Sequence, residues 1–580
     1  MKAPGNLPIG LVSLVALVAG CTASVDNAGS VQGSTAGNST SAGADTTNGG
    51  NPTGSVTSTG AGGGSTATNT TVGDVVKDGE FPPAPMKLDG DPLYTRFMRL
   101  TNQQWERAVQ DILELDAPPD KARFFQTPVV GATDFVNNES VVEVTNDLWT
   151  QHHLAAKEVV QALTVNDTQL QRIYAGSDPR EFIELFGRRA YRRPLTEDEV
   201  NRLQEVFDVG AALTGTASSF TIGAGLVIEA MLQSPHFVYR TELGADGAQL
   251  SGYEMASKLS FLLRGTTPSD ELLDAAGRGE FDTVDGAVAL ATQMLDEPAA
   301  AQVFREFHAE LFEFKRFVSV VKDVAEYDPA INAELEQASL MFFDRIFQEG
   351  LGLREVLTTT EGYVGPLLAE MYQVSPPSSM TLMDLGPERP GYFSQVPFLM
   401  LYGDNEHADA IHRGVHLNFD VLCASLEPPP DAVSLGPPEP AQTDRERVTV
   451  GTRPCGNGCH DAYINPLGFA FENFDGLGRF RTTDKGYDVD TAASYPFADG
   501  TREFTGAPEL MEIMASTQMA HLCYAKNVAG YALQRDIAVA DADLVQGMMT
   551  TSLSEGASLK QLLVDLVAHP AFSTRHGGSL

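Results

Sequence analysis

Leu100-Thr101-Asn102-Gln103-Gln104-Trp105-Glu106-Arg107-Ala108-Val109-Gln110-Asp111-Ile112-Leu113 is the stretch that decides how this chain folds. A threonine followed three residues later by a glutamine forms a capping box. The hydroxyl accepts from the backbone of the third helical residue, and the amide reaches back to the cap. Trp105, Val109, Ile112 and Leu113 then fall on one helical face. The same grammar returns at Thr196 with Glu199 and at Ser251 with Glu254, each ahead of an amphipathic run. Thr267-Pro268-Ser269-Asp270 reads as another start, with a cap, a proline at the first helical position and acids in the first turn. Strand-like alternation is confined to Val448-Thr449-Val450 and the stretch from Tyr487 to Phe497. The expected fold is mainly α.

The N-terminus carries a different message. Lys2 supplies a positive charge, and Ile9 to Val18 is apolar apart from Gly10 and Ser13. That run is short of the roughly 20 residues a membrane span needs, but it suits a secretion signal. Val18-Ala19-Gly20-Cys21 resembles a lipobox, in which the cysteine is acylated and becomes the mature N-terminus; an ordinary cleaved signal with an incidental cysteine is the alternative. Thr22, in place of an aspartate, directs the expectation to the outer membrane. Residues 21–82 are dominated by Gly, Ser, Thr, Ala and Asn and cannot bury enough apolar surface to order themselves, so a disordered tether is expected there. The formal charge of −38 over 580 residues argues against nucleic acid as a partner, which calls for a basic footprint.

Proline and glycine clusters divide the body. Pro82-Pro83-Ala84-Pro85 ends the tether, and Pro428 through Pro440 reads as an extended connector. The expected segments are 1–20 signal, 21–82 tether, 83–243 N-terminal helical domains, 244–375 middle helical domain, 376–485 motif region and 486–580 C-terminal helical domain. With Cys21 assigned to lipid, Cys423, Cys455, Cys459 and Cys523 remain. Outside the cytoplasm such cysteines are expected in covalent use.

Cys455-Gly-Asn-Gly-Cys459-His460 is the segment with chemistry in it. Two thiols can add across the vinyl groups of haem while the adjacent imidazole ligates iron. The spacing is C-x₃-C-H, one residue longer than the usual form, and Gly456 and Gly458 give the loop backbone freedom to absorb it. Two other uses remain open: a disulfide loop between Cys455 and Cys459, and a zinc site with a fourth ligand from elsewhere. Downstream, Met511, Met514, Met519 and His521 are candidates for a sixth iron ligand; a methionine raises the potential relative to a histidine. Cys423 and Cys523 are expected to close a disulfide around this segment, with two buried thiols as the alternative.

Blocks along the body carry a resemblance. They are Arg99-Leu100-Thr101-Asn102, Phe186-Gly-Arg-Arg-Ala-Tyr-Arg-Arg-Pro194, Ser234-Pro235-His-Phe-Val-Tyr239-Arg240, Leu250-Ser-Gly-Tyr253-Glu254, Tyr531-Ala-Leu-Gln-Arg535 and His569-Pro-Ala-Phe572. The most distinctive runs from Asn465-Pro466-Leu467-Gly468 through Glu472-Asn473-Phe474-Asp475. The chain resembles a family of exported planctomycete and myxobacterial proteins built from a string of domains of unknown function, with a planctomycete-type cytochrome c-like motif in the C-terminal half. The resemblance covers nearly all of the mature body. It implies a multi-domain helical body with a cytochrome c-like C-terminal region and one covalent haem c on Cys455, Cys459 and His460, whose iron His460 would ligate. The family's motif is normally C-x₂-C-H, so this chain departs from it at that point.

Other clusters have plainer explanations. His407, His412 and His416 stand near acids, and two of them share a helical face as metal ligands can, but the neighbouring apolar residues suggest packing. His152 and His153 point to different faces. Arg188, Arg189, Arg192 and Arg193 would pair with the chain's own carboxylates before an external anion. Glu472 and Asp475 read as capping and hydrogen-bonding residues. No nucleophile elbow, P-loop or dinucleotide fingerprint is present. The expected function is an exported, lipid-anchored electron-transfer protein with a redox partner, extended by a possible haem oxidoreductase or peroxidase activity. The alternative is a haem-free surface lipoprotein that binds a partner or polysaccharide and holds both cysteine pairs as disulfides.

Overall fold

A computed structural model describes residues 86, 88, 97–127, 135–138, 144–244, 249–424, 426, 441–453 and 456–574. The signal with Cys21, the tether, the proline connector at 428–440 and Cys455 lie outside the described residues. The described chain is mainly helical.

The three capping boxes form as the sequence dictates. Thr101, Ser251 and Thr196 each accept from the backbone of the third helical residue, and Gln104, Glu254 and Glu199 each return a bond to the cap. The first helix, Asn102–Ile112, turns Trp105, Val109 and Ile112 inward, and Leu113 follows them; none is more than 2% exposed. Helices Asn146–Leu163, Pro179–Tyr191, Glu197–Ala211 and Ser219–Leu232 pack around that face into one core that includes Phe182, Phe186 and Val227. Strand β1 (Phe97–Arg99) runs antiparallel to β2 (Tyr239–Thr241), with Met98 opposite Arg240. The chain before the first helix is thereby tied to the chain after the last one.

A second, larger core begins at helix Gly252–Leu263 and continues through Pro298–Leu311, Ile331–Gln348 and Gln518–Leu533 to the end of the body. The C-terminus returns to the middle of the chain. Helix Val284–Met294 packs on Leu559–Ala568, and the amide of Leu250 donates to the carbonyl of Ser573 at 2.9 Å. Small antiparallel hairpins decorate this body: β3 (Glu361–Val364) with β4 (Thr381–Asp384), β5 (Thr483–Asp484) with β6 (Tyr487–Asp488), and β7 (Ala492–Phe497) with β8 (Gly500–Thr505).

Two local expectations need correction, and a third, strands between Tyr487 and Phe497, is met in two pieces. Val448-Thr449-Val450 is helical, inside Asp444–Thr452, where the Thr443 cap overrides the β-branched run. The hydroxyls of Thr449 and Thr452 bond back to the carbonyls of Arg445 and Val448, which satisfies them within a helix. Near Thr267 the cap is Ser269 and the helix is Asp270–Gly277, so Pro268 precedes the cap. Tyr487 to Phe497 is two short strands belonging to different hairpins.

Candidate functional site

The motif segment is built by close backbone packing. After helix Asp444–Thr452 the chain passes through a π-helical turn, Gly456–Ile464, into helix Asn465–Phe469. Helix Ala410–His416 lies against both of the latter. A Cβ on Gly414 would stand 2.0 Å from the carbonyl oxygen of Ile464, and one on Gly468 would stand 1.9 Å from that of Ala410. Glycine is required at both contacts because nothing larger fits between the backbones.

Most of the distinctive block is consumed by this scaffold. Arg413 is 1% exposed and donates to the carbonyls of Leu399, Phe471, Phe474 and Asp475. Burial pushes its guanidinium pKa down to about 10. Asp475 accepts from the amides of Leu477 and Arg479 and from the Arg479 side chain, all at 2.8–2.9 Å. Asn418 holds the turn from the other side: it donates to the carbonyls of Gly414 and Tyr463 and accepts from the Tyr495 hydroxyl. Glu472 is 3% exposed, and its carboxyl is pushed up to about 7 by burial, against the opposing pull of Arg481 at 3.3 Å.

His460 is treated differently. Its Nδ1 lies 3.2 Å from Oδ1 of Asn465, and Asn465 Nδ2 donates to the Thr452 hydroxyl at 2.9 Å. That hydroxyl in turn donates to the carbonyl of Val448 at 2.8 Å. The chain of donors has one direction. Thr452 spends its proton on a carbonyl, Asn465 spends an N–H on Thr452, and the remaining amide oxygen must accept from His460. A neutral imidazole held this way carries its proton at Nδ1 and its lone pair at Nε2, the arrangement an iron ligand of this type uses. Asn465, 1% exposed, fixes the ring. Neither Asn465 nor Thr452 was singled out from the sequence for this role; an amide five residues past the histidine is the signal that was available.

The Cys423–Cys523 disulfide is present, with Cα atoms 5.2 Å apart, and it ties the π-helical turn Leu417–Val421 to helix Gln518–Leu533. The four candidates for a sixth ligand are all engaged. Met511 and Met514 are fully buried in the main core, and Met519 Sδ accepts from the Ala498 amide at 3.2 Å. His521 donates from Nε2 to the carbonyl of Ala515 at 3.0 Å, so its Nδ1 accepts from Ser552 at 2.7 Å and no lone pair is left over. Among the described residues no group of three or more His, Cys, Asp or Glu could hold a metal ion. His412 and His416 instead bond to Asp409 and Asp420. In the arginine cluster, Arg188, Arg189 and Arg193 pair with Asp274, Asp270 and Glu199, whereas Arg192 is buried against the carbonyls of Ala190, His236, Phe237 and Tyr239.

Models of five families match consecutive stretches, each described as a protein of unknown function: DUF1587 over 98–165, DUF1595 over 178–242, DUF1592 over 250–374, DUF1588 over 389–484 and DUF1585 over 500–572. Their names group them as planctomycete-cytochrome-like, and together they span most of the described body. The chain belongs to this multi-domain family. Cys455, Cys459, His460 and the scaffold around Arg413 and Asn465 all fall in its DUF1588 unit. The disulfide joins that unit to the DUF1585 unit. Neither the curated proteins nor the solved structures contain a match.

Proposed function

We propose that this member of the family is an exported, lipid-anchored electron-transfer protein that holds one covalent haem c on Cys455, Cys459 and His460. The observation that carries the reading is His460. Within a block whose other polar residues are absorbed by the scaffold, this imidazole is oriented through Asn465 and Thr452 so that Nε2 keeps its lone pair. The thiols of Cys455 and Cys459 would tether the group, and His460 Nε2 would ligate its iron. When bound there, such a haem takes up and releases single electrons. The protein's own part is to hold the imidazole tautomer and ring plane and to pack a rigid wall behind the turn. Export is supported by the Cys423–Cys523 disulfide, a bond that persists in oxidising compartments. Attachment to the membrane would rest on Cys21, and no helix among the described residues is long and apolar enough to cross a membrane.

The test is a pyridine haemochrome spectrum on mature protein made in a periplasm equipped for haem attachment. A c-type band that survives denaturation and is lost in Cys459→Ala is expected. No band in the wild type would sink the proposal and leave a haem-free binding lipoprotein in its place.

A further inference from the structure

A second site lies at the meeting of helices Asn102–Ile112, Pro298–Leu311 and Gln518–Leu533, which belong to three different units of the family. A cavity of about 40 Å³ opens there between Arg107, Asn137, Glu306, Glu310 and Tyr531. That space is larger than a single water molecule needs.

Its polar lining is unevenly satisfied. Arg107 pairs with Glu306 at 2.5 Å, and the same oxygen, Glu306 Oε1, also accepts from Gln103 and Gln302. Glu310 accepts from the Val136 amide through Oε2 alone, at 2.9 Å. Asn137 is 6% exposed; its Nδ2 donates to the carbonyl of Tyr531 at 3.0 Å, but its Oδ1 is buried with no hydrogen-bond partner. The Tyr531 ring is 8% exposed and lines the same cavity. The Glu310 carboxyl, the orphaned Asn137 amide oxygen and Tyr531 thus line one small space. Three acceptors around a negative charge match the three donors of a primary ammonium. A divalent cation calls for six or more oxygens, and a buried amide oxygen left without a donor is costly.

We propose that this cavity binds a primary ammonium group, either of a free amine or of a peptide lysine. The proposal is independent of haem. The test follows the thermal unfolding midpoint of the mature full chain at constant ionic strength. The added salts are methylammonium, tetramethylammonium, sodium or potassium chloride, or an Nα-acetyl-lysine amide. Methylammonium should raise the midpoint, whereas tetramethylammonium, which has no N–H, and the alkali ions should not. Glu310→Gln should need about tenfold or more methylammonium for the same rise, and Tyr531→Phe should also weaken it. Glu555→Gln, at an exposed position, should respond as wild type. A rise with the lysine amide equal to that with methylammonium assigns a peptide source, and a rise with methylammonium alone assigns a free amine. Indifference to methylammonium, or equal rises in wild type and both site variants, overturns the proposal. If Glu310→Gln does not fold, Tyr531→Phe decides.

Discussion

At the scale of single residues, Glu472 gives the clearest pH signature. Burial raises its carboxyl pKa from the ordinary value of 4.5 to about 7. The folded state therefore binds more protons than the unfolded one between those two values. Stability is level below 4.5, falls as pH rises to 7 and is level again above it, with a slope from this group of up to about 1.4 kcal/mol per pH unit. Denaturant titrations at several pH values should show a shallower fall for Glu472→Gln than for wild type across that window. Parallel curves would mean that Arg481 and its neighbours compensate the charge fully. Asn465 gives a second test, conditional on the haem proposal. Asn465→Leu removes the acceptor that makes His460 a more basic ligand. Haem attachment should persist in that variant while the reduction potential rises; attachment with an unchanged potential would show that the amide plays no electronic part.

At the scale of elements, the motif turn depends on two helices meeting without side chains between them. Gly468→Ala would place a methyl 1.9 Å from a backbone oxygen, so the helices must separate. The expected cost is about 1–3 kcal/mol in denaturant unfolding, and a variant as stable as wild type would show that the pair slides freely. The disulfide acts on the same region. It closes a separation of 100 residues, and replacing both cysteines by serine should cost on the order of 4 kcal/mol. Cys423 also sits at a positive φ of 47°, a conformation that few non-glycine residues adopt without support. Elements of this kind divide by how local their cause is. The capping boxes at Thr101, Thr196 and Ser251 were legible because all partners lie within four residues. The Val448-Thr449-Val450 run misled because β-branching is a weak local preference that a cap outside the run overrides. The site was legible only as Cys455, Cys459 and His460. What orients His460 depends on Thr452, eight residues before it, and what supports the turn depends on Asn418, 45 residues from its partner Tyr463. No spacing rule connects these.

At the scale of the whole molecule, the question is what makes separate family units one body. Two hydrophobic cores meet across a buried charge network. Arg240, on β2, pairs with Glu242 at 2.7 Å and donates to Gln534 at 2.7 Å; Lys258 pairs with Glu242 at 3.1 Å and donates to the carbonyl of Phe572 at 2.8 Å. Arg240, Glu242 and Lys258 are at most 3% exposed, and burial pulls the Arg240 pKa down to about 9. Residues from the N-terminal core's closing strand, the middle unit and the final helices thus share one set of ions. Such a network contributes less net stability than its short distances suggest, because its charges were taken out of water. Removing one member is a different matter, since it leaves a buried carboxylate short of a partner. Lys258→Met should therefore cost about 3–5 kcal/mol, and the loss should be uneven. The N-terminal core, Leu100 to Phe237, has its own helices and its own caps. Native-state hydrogen exchange should find that core as protected as in wild type, while amides of the Pro570–Ser573 turn and the Gly252–Leu263 helix exchange faster. Uniform loss of protection over both cores would instead mean that the units unfold as one cooperative body, with the ions as one contact among many.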